Sequence, residues 1–528
     1  MRTPRRSTVA LLAAGLCASG LTAASAQGAR AATAAPGTTA ATSTATTTTT
    51  STSLTSTDET ARDSGITRDP QAADLQRSAK LRRAVSADGV MTHLRAFQRI
   101  ADANDGNRAS GTSGYEASAA YLEKTLKPYG YKITRQPFEF RYEQITKTSL
   151  DQTAPQRRAV EHNPMSYSPA APGAGVTAEL VAPAEVNGCD AAAWQGVDAT
   201  GKIALVSRGT CSFGQKSKAA HAAGAAAAII YNNADGPLNG TLGEVADDYV
   251  PTTGVTQADG QALRTAMQSG PVSMTFVLEK IMEQRKTFNV IAESAGGNAD
   301  NVVMAGAHLD SVAEGAGIND NGSGSAAILE VAKQIGQQRN VPGKLPNKMR
   351  FAWWGAEEVG LLGSTHYVEN LKANDPAALK KIATYLNFDM VGSPNYMIGV
   401  YDADESTHKA PVPVPPGSVE TEKLLTSYFD ATEQPWVDTE FSGRSDYQAF
   451  IENGVPASGL FTGAEGKKTA AEQAKFGGTA GLAYDPNYHQ PKDDLSNVST
   501  KALEINSDAI AHAMLTLATS TEAVNGKK

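Results

Sequence analysis

Between His308 and His489 the sequence delivers carboxylates and imidazoles one loop at a time. His308 and Asp310 close the apolar run Asn301–Ala307, and Asp320 follows a glycine-rich turn containing Gly315 and Gly317. The acidic pair Glu357-Glu358 comes just after Phe351–Trp354, Asp389 ends the run Ala383–Phe388, and Tyr488-His489 sits in a loop with Asp485 and Pro486. Carboxylate oxygens and imidazole nitrogens are donors that zinc takes from proteins. Several of them, one per loop, have the composition of a binuclear metal centre with acids to spare for proton transfer. Singly, each has an ordinary explanation: a histidine after a strand usually packs or hydrogen-bonds, and an acidic pair opening a helix answers the helix dipole. The ensemble carries the functional reading.

Such residues need elements that bring them to one place. The apolar runs read as strands, helical patterns follow them, and in open α/β sheets sites form beyond the carboxyl ends of the strands. Folding is expected from Leu81, with helical spacing in Val90, Leu94, Phe97 and Ile100, a second helix over Tyr115–Leu126 and an alternating strand over Tyr131–Phe140. From about Thr148 the chain turns to Pro and Gly punctuation and short β-rich runs, and strong strand and helix alternation resumes near Lys286. The pattern predicts an α/β domain over 81–147 and 284–520, an inserted β-rich domain over 148–283 and a tail over 521–528.

Ahead of these, Arg2, Arg5 and Arg6, the apolar stretch Val9–Leu21 and Ala24-Ser25-Ala26 have the order of a secretory signal over residues 1–26, and Arg5-Arg6 leaves a twin-arginine route open. Residues 27–80 are read as a low-complexity linker or pro-segment, because the Ala/Thr/Ser-rich stretch from Ala31 cannot bury enough apolar surface to fold. No apolar stretch is long enough to anchor the chain in a membrane. Removing the signal moves the formal charge from −8 to −11, an acidic balance that disfavours nucleic acid and anionic lipid. It also leaves an even pair of cysteines, Cys189 and Cys211, read as a disulfide of a secreted protein.

The stretches Ala305–Ser311, Gly317–Gly324, Trp354–Glu358, Asn387–Met390 and Tyr488-His489 resemble the M28 family of metallopeptidases, and within it the secreted di-zinc aminopeptidases of the aminopeptidase S type. Gly201–Phe213, with Lys216, Lys218 and Ala219–Ala225 after it, resembles the protease-associated (PA) domain, which adjoins peptidase sites and supplies no catalytic residue. The resemblance implies a zinc exopeptidase fold, with a mixed central sheet flanked by helices and a PA domain inserted. It makes His308 and Asp389 ligands of one zinc, Glu358 and His489 ligands of a second, and Asp320 the bridge. Glu357 becomes the general base, Tyr488 a donor to the oxyanion and Asp310 the group that orients His308. Met390, Gly443, Arg444 and Phe461 are the candidates for a pocket suited to N-terminal leucine, phenylalanine or methionine. A monomer acting on peptide and protein N-termini is expected.

The sequence departs from the family at two places. Asn487 and Lys492 stand where cysteines often flank the Tyr-His pair. Glu504 and Asp508 supply half of a calcium site found in some relatives, but Ala84 replaces the carboxylate of the other half. Two rival readings remain: a receptor-like protein that has lost catalysis, although no ligand is missing, and a carboxypeptidase for acidic C-termini, which needs an arginine cluster where the motifs offer only Arg444.

Overall fold

The computed structural model describes residues 70–171, 173–243, 245–338 and 345–527; the expected signal and most of the expected linker lie outside them. Among the described residues the strands are β1 (Lys132–Ala154), β2 (Arg158–Ala159), β3 (His162–Pro164), β4 (Val176–Val181), β5 (Ile203–Ser207), β6 (Ala227–Tyr231), β7 (Thr252–Val255), β8 (Ser273–Glu293), β9 (Asn298–His308), β10 (Asn347–Trp354), β11 (Ile382–Phe388), β12 (Gly399–Tyr401), β13 (Val437–Thr439) and β14 (Ala457–Phe461). They join in the order β13-β12-β14-β11-β9-β10-β8-β4-β5-β6-β7-β3, with β1 paired to β8 and β2 to β1. β10, β9, β11 and β14 run parallel, while β8 is antiparallel to β10 and β12 to β14, so the sheet is mixed.

Parallel strands are covered on both faces and read as continuous apolar runs. β11 is buried throughout, as is β9 from Asn301 onward. In β10 the adjacent Trp353 and Trp354 point to opposite faces, one into each core. On one side Val90, Leu94 and Phe97 of the helix Ala87–Asp102 pack with Ile328 and Val331 of Gly324–Gln337 and with Ile510 and Met514 of Thr500–Thr519. On the other, Trp354 meets Tyr367, Tyr385 and Phe450. Because β9 lies between β10 and β11, the loops after these three strands converge.

Both ends of the α/β domain differ from expectation. A helix over Pro70–Arg82 begins ahead of the expected start at Leu81, held by Leu75 against the core, by the Gln71 amide on the Ser427 carbonyl (2.7 Å) and by Ser78 on His512 Nδ1 (2.9 Å). Its weak amphipathicity hides it, since the contacts that fix it come from far along the chain. The expected tail instead forms a helical turn over Glu522–Asn525, tied to Asn301 by Thr521 and Asn525.

The insertion is not hung on loops. β1 and β8 pair from Lys132↔Glu293 to Ala154↔Ser273, with two bulges on the way, so the expected boundaries at Thr148 and Glu283 fall inside a two-stranded ribbon. One end of β8 pairs with β4 in the insertion and the other with β10 in the peptidase sheet. Two separate apolar clusters fill the insertion. Cys189 and Cys211 are disulfide-bonded, and the buried Lys216 ammonium beside them donates to the carbonyls of Asn187 (2.7 Å) and Gly209 (2.8 Å).

Candidate metal centre and active site

His308 ends β9, 1 % exposed. Its Nδ1 lies 3.1 Å from the backbone carbonyl of Asp310, and a hydrogen bond there leaves Nε2 to face the carboxylates of Asp320 (3.2 Å) and Asp389 (3.3 Å). Orientation therefore comes from the Asp310 backbone rather than its carboxylate, which lies 3.8 Å from Nδ1 and accepts the Glu357 amide. Across the centre, His489 Nε2 lies 2.9 Å from Glu358 and 3.1 Å from the second oxygen of Asp320. Two groups result, His308-Asp320-Asp389 and Asp320-Glu358-His489, each with donor atoms within 4.8 Å of one another. Asp320 belongs to both, and Glu357 to neither.

The turn that presents Asp320 is built by residues the sequence reading passed over. Arg108, fully buried, donates to the carbonyls of Leu309, Ala316 (2.9 Å) and Gly317 (2.6 Å), which ties the His308 loop to the glycine-rich turn. Asp493 accepts the amides of Asn319 (2.8 Å) and Asp320 (2.9 Å), and Ser445 donates to Asp389 (2.5 Å). Gly317 takes a left-handed φ of 60°, and at Gly324 a Cβ would stand 2.1 Å from the Phe388 carbonyl, so the turn fits only glycine there. Ala356 beside Glu357, Met390 beside Asp389, and His489 itself hold positive φ near 57° without being glycine. Such backbone strain collects where surrounding structure over-determines a functional geometry.

Burial and crowding set the charge states. Burial opposes a charged His489, but Asp320 and Glu358 raise its pKa to about 10. Burial, reinforced by Asp320, raises Glu358 to about 7. Burial also pushes Glu357 well above the carboxylate range; His308 opposes this, while Asp389, Asp446 and Glu358 add to it. Such a perturbed acid in a cavity has the signature of a proton-transfer group.

A cavity of about 470 Å³ opens on His308, Asp320, Glu357 and Asp389. Met390, Phe461 and Arg444 line it, but Gly443 does not: its amide donates to the Tyr447 hydroxyl (2.9 Å). Tyr488 stacks on His489 with ring centroids 3.8 Å apart, and Arg444 reaches its hydroxyl (3.4 Å) while pairing with Glu465 (2.7 Å). Arg444 is the only arginine in the described lining, which removes the carboxypeptidase reading. The lining also differs from a purely apolar pocket, because Asp438, Glu440 and His408 join Met397 and Tyr401 in it. In a further acidic group, Asp402-Glu422-Asp438, two members are occupied with loop backbone: Asp402 accepts the amides of Ser406, Thr407 and His408, and Glu422 those of Ala403 and Asp404, while Asp438 accepts the Thr407 hydroxyl. Of the residues weighed for calcium, Glu504 accepts the Ala87 amide and Asp508 faces the charge of Arg82.

The chain is similar to known proteins over most of its length. Peptidase family M28 matches residues 289–514, and the PA domain residues 176–263. Over 461 residues the chain is 44 % identical to an aminopeptidase of Pseudomonas aeruginosa, spanning 84 % of this chain and 83 % of that one. Over 442 residues it is 44 % identical to leucine aminopeptidase 2 of Trichophyton rubrum, spanning 84 % and 85 %. A solved structure of BSAP, a zinc aminopeptidase from Bacillus subtilis, matches with a TM-score of 0.56 at 26 % identity, covering 82 % of this chain and 95 % of that one. The chain belongs to peptidase family M28 and carries a PA domain. Within that family it is a zinc-type aminopeptidase, a hydrolase of peptide bonds.

Proposed function

We propose that the protein is a secreted, monomeric aminopeptidase that removes leucine, phenylalanine or methionine from peptide N-termini, with Glu357 as general base. The shared position of Asp320 carries this reading. His308 and Asp389 would hold one zinc, Glu358 and His489 a second, and Asp320 both. The donor set suits zinc, and Glu358 Oε1 is buried without a hydrogen-bond partner, a cost that a ligated cation removes. Zinc there supplies Lewis acidity at the scissile carbonyl and lowers the pKa of water. Glu357, its side chain 10 % exposed, takes a proton from the attacking water and returns it to the leaving amine. Burial first, then Asp320 and Glu358, raise the Tyr488 pKa, so its hydroxyl stays protonated and donates to the developing oxyanion. The free α-amine of the substrate is met by Glu357 and Asp389, which favours cleavage at chain ends.

Met390, Met397 and Phe461 support a large apolar side chain in the cavity, and the name of the Trichophyton relative agrees. Asp438 and Glu440 favour a second reading in which lysine or arginine also enters, since neither has a cationic partner among the described ion pairs. Hydrolysis of leucyl, arginyl and N-acetyl-leucyl anilides, with zinc analysis before and after exhaustive chelation, tests both. Cleavage of the leucyl but not the acetylated anilide, lost with zinc and restored by it, is expected. Full activity in metal-free protein would overturn the proposal.

A further inference from the structure

A second cleft, of about 280 Å³, lies between the ribbon and the loops that carry Asp310 and Glu358. Asp310 and Glu358 are among its lining residues, so it touches a candidate ligand, while it shares no lining residue with the cavity that holds Glu357, Met390 and Phe461. Phe140, Tyr142, Gln144 and Ile145 of β1 line one side, Val312 and Glu314 another. Phe138, Phe140 and Tyr142 pack on Ala356, the residue before Glu357, and Val359 packs against them. The strand that leads into the insertion is thereby fastened to the loop carrying the acidic pair. At the outer end a β-bulge interrupts the ladder between Ile145 and Lys147, and Ile145 stands 44 % exposed in the cleft. Bulges re-aim side chains, often beside active sites. An exposed isoleucine in a cleft that touches a candidate ligand is apolar surface for a substrate to cover.

We propose that this cleft receives the residue that follows the scissile bond, with a preference for a large apolar side chain there and discrimination against an acidic one. The proposal rests on the aminopeptidase reading above. A substrate whose N-terminal residue occupies the cavity beside Glu357 must carry its second residue away from the centre, and this cleft, lined by Glu358, lies beside that path. Phe140, Tyr142 and Ile145 offer apolar contact. Glu143 is paired with Lys280 (3.0 Å), so the exposed Glu314 is the group that repels a second carboxylate.

The test uses the full-length zinc enzyme and compares kcat/KM for leucinamide, Leu-Phe-amide and Leu-Asp-amide. Leucinamide has no second side chain, so it reports on the aminopeptidase reading alone. Leu-Phe-amide is expected to be cleaved at least about tenfold more efficiently than Leu-Asp-amide. Ile145→Ser is expected to lower the Leu-Phe-amide to leucinamide ratio about fivefold. Glu314→Lys should raise the Leu-Asp-amide to Leu-Phe-amide ratio by a similar factor. Both positions are exposed, so neither change disturbs a core. Cleavage of leucinamide with both ratios unmoved overturns the cleft and leaves the aminopeptidase reading standing. No cleavage of leucinamide by the zinc-loaded wild type overturns both.

Discussion

Asp320 joins the two halves of the centre: its two oxygens lie 3.2 Å from His308 and 3.1 Å from His489, and Asp493 holds its backbone amide. The neighbours Glu357 and Glu358 diverge over one residue. Glu358 faces His489 at 2.9 Å, while Glu357 lies 3.9 Å from His308 and lines the substrate cavity. Isosteric changes separate their roles. Glu357→Gln is expected to keep its zinc and lose about two to four decades of turnover. Glu358→Gln should instead lower zinc content, because an amide is a poorer ligand than a carboxylate. Zinc analysis and kcat on the same preparations check both, and an exchange of the two phenotypes would reverse the assignment.

At the scale of elements, the helices Pro70–Arg82 and Thr500–Thr519 meet around a histidine. His512 is 3 % exposed, stacked on Tyr428 at 4.7 Å between ring centroids and bonded to Ser78. Burial, with the charge of Arg82 added, depresses its pKa from 6.5 to about 4. Between those values the unfolded chain binds a proton that the folded chain does not, so stability rises with pH. The contribution is complete above pH 6.5 and falls away as the pH drops to 4, by up to about 3 kcal/mol. Denaturant midpoints measured from pH 4 to pH 7 should therefore shift less in His512→Phe than in the wild type. Equal shifts would show that His512 does not carry the dependence.

For the whole molecule, the ribbon decides how the PA domain can be separated from the peptidase. Cutting at Thr148 and Glu283 would strip Ser273–Glu283 from β8 and leave Tyr142–Lys147 of β1 unpaired. Joining Ile145 to Lys280, which face each other across the ladder, by an Asn-Gly turn preserves the ribbon that packs on Ala356. Such a protein is expected to cleave leucinamide at a turnover similar to the wild type while changing its preference among longer peptides. Loss of leucinamide turnover with zinc content intact would show that the insertion helps to build the centre itself. No described helix is long and apolar enough to cross a membrane.

The kinds of donor, their order and their places at strand ends were legible in the sequence, because buried parallel strands write themselves as unbroken apolar runs and metal donors are few in type. The PA insertion showed as a change of punctuation, and the disulfide as an even cysteine count. Tertiary structure decided what depends on distant partners. Arg108 bonds carbonyls 201 to 209 positions away, and nothing near it in the chain marks it as the residue that ties the His308 loop to the Asp320 turn. The helix at Pro70 has little amphipathicity of its own, Gly443 turns aside to Tyr447, and Asp438 and His408 enter the cavity from outside every motif. Sequence records which chemistry each residue carries; which of them share a wall is set by long-range packing, and no local pattern encodes it.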